Sequence, residues 1–259
     1  MTTGISDVSR QSDYYDHIRD VEFEINRPHG ESRLYQFLMD YKLKRVLRLA
    51  SRPLTNLTVL VVCSGSGMDA EFVARTGARV VALDISQGCL DRARIRSQRY
   101  GVSYELVRAA AEHLPFPDGT FDYAFVHDGL HHLADPSRAV TEMARVARMG
   151  ILVTEPAQAA VTGVPTRMRL MRAYEESGNF INRLRSRDLE NTCRSLGFDR
   201  IAHSRYLVRY GHPPPEWWRA LDRRGLFAIA QASFLVFGAG LLGRWGNKLA
   251  FVAERSAPQ

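Results

Sequence analysis

The stretch "VLVVCSGSGMDAEFVARTGARVVALDIS", residues 59–86, decides how the chain folds. An aliphatic run, a turn carrying Gly65 and Gly67, a helical segment and a second aliphatic run ending in Asp84 predict strand, loop, helix and strand. A unit of this length makes its two strands parallel, with the helix crossing over one face of the sheet. Gly65, Gly67 and Ala70 satisfy a G-x-G-x-x-G/A pattern, and Asp84 follows Gly67 by seventeen residues, near where an acid meets ribose hydroxyls. NAD fits that pattern. S-adenosylmethionine fits it too, because its ribose needs the same acceptor although it has no pyrophosphate. The stretch alone leaves both open.

The rest of the chain sets the context. Its 259 residues suit one elaborated α/β domain better than two independent ones. The opening "MTTGISDVSRQSDYYD" shows no basic patch followed by an apolar run, so no secretory signal is expected and a cytoplasmic location is. Cys63, Cys89 and Cys193 form no C-x-x-C pair, which suits a reducing compartment and predicts no metal site. The net charge is +7. Its excess concentrates in "RMRLMR" and "RLRSR", which hold Arg167, Arg169, Arg172, Arg183, Arg185 and Arg187. These read first as a solvated helix face and second as a lining for an anionic substrate group, with polynucleotide binding third.

Outward from the opening stretch, helical spacing over Glu31 to Ala50 predicts an amphipathic helix ahead of the first strand. Strands are expected at Val59–Val62, Val80–Leu83, Tyr104–Val107, Tyr123–Val126 and Ile151–Val153. Helical segments lie between them near Ala70–Arg75, Cys89–Tyr100 and Pro136–Arg148. "SRDLENTCRSLGFDRIAHSRYLVRY" reads as a helix stopped at Gly197 and then a strand, and "NKLAFVAER" as the closing strand. Alternation of this kind predicts a doubly wound sheet whose ligands gather outside the carboxyl ends of its strands.

Downstream, "RAAAEHLPFPDGTFDYAFVHDGLHHLADPSRAVTEMARVARMGILVTEP" supplies "LPFPDGTFD", "GLHHL" and "RVARMGILVTEP" in order. This set resembles the class I S-adenosylmethionine-dependent methyltransferases, in particular the small-molecule methyltransferases with an "LPF…FD…LHH" signature. A dehydrogenase has no reason to carry it, so the resemblance replaces NAD with S-adenosyl-L-methionine. It implies a Rossmann-like, doubly wound seven-stranded sheet of order 3-2-1-4-5-7-6 with the last strand antiparallel, N-terminal helices, and helical insertions forming a lid. The expected divisions are an N-terminal helical cap over 1–55, a cofactor-binding core over 56–156, a helical insertion over 157–187, and a C-terminal hairpin over 188–259 with an inserted apolar helix at 216–243.

Residue by residue, the resemblance implies that Cys63, Ser64, Gly65 and Gly67 form the loop under the methionine part of the cofactor. Asp84 would accept the ribose hydroxyls, Ile85 would lie against adenine, and Ala111 and Glu112 would sit at the adenine edge. His127 and Asp128 would fall near the aminocarboxylate. The chain departs from the family pattern at Val61, where an acid is usual, at Cys63, where glycine is, and at Ala110, where an aspartate commonly meets adenine. Met149-Gly150 stands for the usual Pro-Gly-Gly.

Methyl transfer is an in-line displacement at an activated carbon, so the protein mainly aligns and excludes water. A protonated nucleophile also needs a base, and His131 and His132 lie beside the expected methyl group. Tyr15 and Glu155 are further catalytic candidates, with Tyr14 and His17 behind them. The expected reaction is O- or C-methylation of a hydrophobic small molecule, a natural product, isoprenoid or lipid-like acceptor. A nucleic-acid methyltransferase and a non-catalytic adenosyl-binding protein are the alternatives, although the fourth strand lacks the Asn/Asp-Pro-Pro-aromatic motif of base methylation and no nucleic-acid partner is expected. Leu226–Leu242 carries no charge and is bounded by Arg223, Arg224 and Arg244. It is expected first as a buried or lid helix, next as a helix in peripheral contact with a membrane, and last as a true span.

Overall fold

The computed structural model describes residues 12–18, 20–26, 32–158, 184–208 and 216–256. Arg167, Arg169, Arg172 and Arg183 lie outside these, as does most of the insertion expected over 157–187.

Seven strands form one sheet in the order β3-β2-β1-β4-β5-β7-β6. They are β1 (Thr58–Val62), β2 (Arg79–Asp84), β3 (Glu105–Arg108), β4 (Phe121–His127), β5 (Ala147–Pro156), β6 (Arg200–Tyr206) and β7 (Lys248–Glu254). β1 to β5 pair in parallel, and β7 inserts antiparallel between β5 and β6. The expected order and the reversed last strand are therefore present. β1 and β4 are apolar and buried almost throughout, as parallel strands covered on both faces must be.

The helices are α1 (residues 12–16), α2 (Val21–Ile25), α3 (Arg33–Leu47), α4 (Met68–Ala74), α5 (Gln87–Tyr100), α6 (Pro136–Val146), α7 (Ser186–Ser195), α8 (Trp218–Leu221) and α9 (Arg224–Ser233). Each of α3, α5 and α6 starts at a side-chain cap, Ser32, Ser86 and Asp135 respectively. One apolar layer packs α6 and α7 on the sheet, and the other packs α3 and α4 on the opposite face.

Two sequence readings change. Helix α6 stops at Val146 because β5 begins at Ala147, so Met149-Gly150 lies within a strand and Glu155 is a strand residue rather than one beyond it. At Gly150 a Cβ would stand 2.7 Å from both the Ala253 carbonyl oxygen and the Tyr123 ring, so strand packing itself demands glycine there.

The second change concerns Leu226–Leu242. It forms α9 followed by a π-helical segment, Phe234–Leu241, and it is not a buried helix. Only an inner stripe that includes Phe227, Ala230, Phe234 and Ala239 packs on the core. Phe234 meets Phe37 and Tyr41 of α3 edge-on, at ring separations of 5.7 and 4.8 Å. Ile229, Phe237 and Leu241 are more than half exposed, because α3 covers one side of the segment and leaves the other outward.

Candidate active site

β1 to β5 run the same way, so the residues following them share one edge of the sheet. After β1 the chain curls through three left-handed residues, Cys63, Gly65 and Gly67. The Ser64 N–H donates to the Leu83 carbonyl at 2.9 Å, and the Gly67 N–H to Ser64 at 2.9 Å. Gly67 is required twice over: its φ is +82°, and a Cβ there would stand 2.7 Å from the Tyr104 hydroxyl and 2.9 Å from Ala93 Cβ. Around Gly65 a Cβ would meet nothing within 4 Å. Next to that open face the Ser64 hydroxyl is buried without a hydrogen-bond partner among the described residues. Cys63 adopts φ 54°, a conformation that costs a side-chain-bearing residue about 1–2 kcal/mol. Its neighbour across the loop compensates in volume, since a Cβ on Gly129 would lie 2.5 Å from Cys63 Cβ. Burial pushes the Cys63 thiol well up, which keeps it protonated and a poor nucleophile.

Asp84 ends β2 and turns its carboxylate back to this loop. Its Oδ2 accepts from the Gly65 N–H at 2.8 Å and its Oδ1 from the Ser86 N–H at 3.0 Å. Burial raises its pKa against the pull of those two donors. Further hydroxyl donors on a ligand would relieve that cost. Ile85 is half-buried beside it, Ala111 packs into the core, and Glu112 accepts through its carbonyl from Arg138 at 3.0 Å.

The N-terminal segment docks on the same edge. The Asp16 carboxylate accepts from the Ser86 hydroxyl at 2.6 Å and from the Gly88 N–H at 2.8 Å. Two buried arginines of α5 fasten the segment down. Arg92 donates to the Tyr15 carbonyl at 2.6 Å and to Ser66 Oγ at 3.1 Å. Arg96 pairs with Glu71 at 2.8 Å and donates to the carbonyls of Glu24 and Asn26. The Tyr15 ring consequently lies edge-on to His132, with centroids 6.0 Å apart. Tyr14 packs edge-on against Tyr15 at 5.2 Å, and exposed His17 bonds locally, through Nδ1 to the Asp13 carbonyl at 2.8 Å.

Beyond β4 two ionic clusters form. In the first, His127 Nδ1 meets Asp69 of α4 at 2.8 Å, while Asp128, at φ 47°, faces two lysines. Lys42 of α3 bonds its Oδ2, and Lys248 of β7 reaches both oxygens at 3.1 and 3.2 Å. Burial would raise the Asp128 carboxyl, but Lys248 and Lys42 together hold it well below the usual carboxylate range. Lys42 is fully buried, and burial pushes it down to about 8 although Asp128 opposes the change.

In the second cluster, fully buried Glu155 gathers the loop after β4. Its Oε1 accepts from the Gly129 and Leu130 N–H groups at 2.7 Å each, and its Oε2 meets His131 Nδ1 at 2.7 Å. A carboxylate there assigns the ring proton to Nδ1 and the lone pair of the neutral imidazole to Nε2. His132 stacks on His131 at a centroid distance of 4.0 Å.

The candidate residues thus converge: the loop over 63–67, Asp84, His127, Asp128, His131, His132, Glu155 and Tyr15 share one edge. Sequence reading missed Lys42, Lys248, Asp69, Arg92 and Arg96. For Lys42 a signal existed, since it falls in the apolar stripe of α3 with Leu38, Met39 and Val46.

Residues 60–154 match the family described as "Methyltransferase domain". The chain is 38% identical over 96 residues to demethylmenaquinone methyltransferase of Thermobifida fusca, covering 36% of this chain and 39% of that protein. It is 34% identical over 179 residues to sarcosine/dimethylglycine N-methyltransferase of Halorhodospira halochloris, covering 64% and 60%. The chain therefore spans between about two fifths and three fifths of the length of these relatives. Among solved structures, magnesium protoporphyrin IX methyltransferase from Synechocystis superposes with a TM-score of 0.64 at 17% identity, over 96% of this chain and 99% of that one. The [4+2]-cyclase SpnF superposes with a TM-score of 0.63 at 18% identity, over 96% and 97%. At these identities the likeness is one of fold.

Proposed function

We propose that this chain, which belongs to the class I S-adenosylmethionine-dependent methyltransferases, methylates a hydrophobic small molecule at oxygen or carbon. The observation that carries the reading is the convergence of the Gly65 loop and Asp84 with the Glu155-held His131 on one sheet edge. The open face of Gly65, the unsatisfied Ser64 hydroxyl and the buried Asp84 carboxylate fit the cofactor's polar groups. When bound, the cofactor supplies a methyl group already activated on a sulfonium. Asp84 would hold the ribose hydroxyls, and Ser64 would donate to the methionine part. His131 would take the proton of the acceptor's hydroxyl or acidic carbon at Nε2. Glu155 keeps the Nδ1 proton in place and stabilises the imidazolium. The relative named demethylmenaquinone methyltransferase supports a hydrophobic acceptor.

Incubating the protein with methyl-labelled S-adenosylmethionine and a panel of hydroxylated quinones and lipid extracts tests the proposal. Labelled product is expected, and binding of the cofactor with no label transferred to any acceptor would favour the non-catalytic reading. Ala110, which offers no carboxylate to adenine, is the feature that favours that second reading. Asp84→Ala is expected to weaken S-adenosylhomocysteine binding by roughly tenfold to a hundredfold, the worth of a charged acceptor at about 1.5–3 kcal/mol. Calorimetry on the folded variant checks this, and unchanged affinity would remove Asp84 from the ribose.

A further inference from the structure

Between β6 and β7 the chain leaves the sheet at Tyr206 and returns at Lys248, which are direct partners in the antiparallel register. Lys248 also pairs with Pro156, the last residue of β5. This excursion therefore starts and ends on the edge that holds Glu155 and Asp128. Within it, Ile229, Phe237 and Leu241 are 63%, 53% and 65% exposed, a concentration of large apolar side chains that a soluble surface does not otherwise need.

The surroundings of this face identify what covers it. From residue 223 to residue 247 the sequence has no Asp or Glu, while Arg223, Arg224 and Arg244 bracket the apolar run and are exposed. All three tryptophans of the chain, Trp217, Trp218 and Trp245, lie at its two ends, and Trp217 and Trp245 are at least half exposed. Arginines and tryptophans flanking an apolar face match the layering of a bilayer, with anionic headgroups outside, an interfacial zone for amphipathic rings and acyl chains within. A protein partner would call for no such order.

We propose that this face docks on an anionic phospholipid membrane, independently of what the site transfers. By length and composition Arg224–Leu241 is apolar enough to cross a membrane. Its anchoring makes it lie on the surface instead. Phe234 is packed on Tyr41, the Gly238 carbonyl accepts from the Leu207 N–H at 2.8 Å, and both ends return to one sheet edge.

Flotation of the full chain with phosphatidylcholine vesicles containing phosphatidylglycerol tests the proposal. The wild type is expected to float with them, far less with phosphatidylcholine alone, and to be partly released by salt. Tryptophan emission should shift to the blue on binding. Arg223→Gln/Arg224→Gln should lower partition by about fivefold per arginine, the worth of one basic residue near such a surface. Phe237→Asp/Leu241→Asp should abolish flotation, with circular dichroism unchanged because both side chains face outward. If that pair fails to fold, the arginine pair decides alone. Wild-type protein that stays in the aqueous fraction, or arginine variants that partition as the wild type does, would overturn the proposal. So would a dimer, seen by light scattering, that Phe237→Asp/Leu241→Asp separates while vesicles bind neither form, since a second copy of the chain would then be what covers the face.

Discussion

His131→Ala is expected to lower kcat by roughly a hundredfold to ten-thousandfold, the usual share of a general base, while leaving S-adenosylhomocysteine affinity unchanged. The imidazole is buried and oriented by one carboxylate oxygen at 2.7 Å, so its loss removes proton transfer rather than cofactor contacts. Glu155→Gln supplies the second half of the argument. The glutamine carbonyl can still accept from Gly129 and Leu130, but its NH2 then faces His131 Nδ1 and moves the ring proton to Nε2. A ring in that tautomer cannot accept the acceptor's proton, so kcat should fall comparably although His131 is present. Unchanged turnover in both variants would leave His131 a structural residue and move the base elsewhere.

Asp128→Asn should destabilise the fold by roughly 3–5 kcal/mol near neutral pH, because buried Lys42 then either keeps its charge without a carboxylate or must give up its proton. Asparagine tolerates the left-handed conformation at φ 47° as well as aspartate does, so the backbone is spared and the charge effect is isolated. The sign of the pH dependence follows from the two shifts. Lys42 is pushed down to about 8 in the folded state, against an ordinary 10.5. Between those values the unfolded chain holds a proton that the folded chain lacks, and wild-type stability rises with pH. Without Asp128 the Lys42 value drops further, so the variant suffers most below pH 8, where the wild-type pair is intact, and less above it. Asp128 is held well below 3.8, so its contribution is present above that value and fades as pH falls through the folded one. The penalty should therefore be greatest between these limits. Denaturant unfolding across the pH range measures it, and a penalty independent of pH would show that Lys42 and Asp128 are not coupled.

The residues alone carried the alternation of strands and helices, the glycine loop and Asp84 at the end of β2, whereas the strand order with its reversed last strand was an implication of the resemblance to the class I methyltransferases. The former are local matters: aliphatic runs, turn residues and caps act over a few positions, and the handedness of parallel connections then leaves few topologies. The tertiary structure decided the partners. Lys42 lies 86 residues from Asp128 and Lys248 a further 120 beyond it, separations at which no periodicity carries information. Arg92 and Arg96 carry no signal of their own in the helix sequence, and their role appears only where the N-terminal segment closes over them. Glu155 is one catalytic candidate among several until three donors of the 129–131 loop meet its carboxylate. Leu226–Leu242 is apolar along its length, so composition could not tell which side would be covered. That depended on α3, which offers Phe37 and Tyr41 to one face of the segment and leaves the other outward.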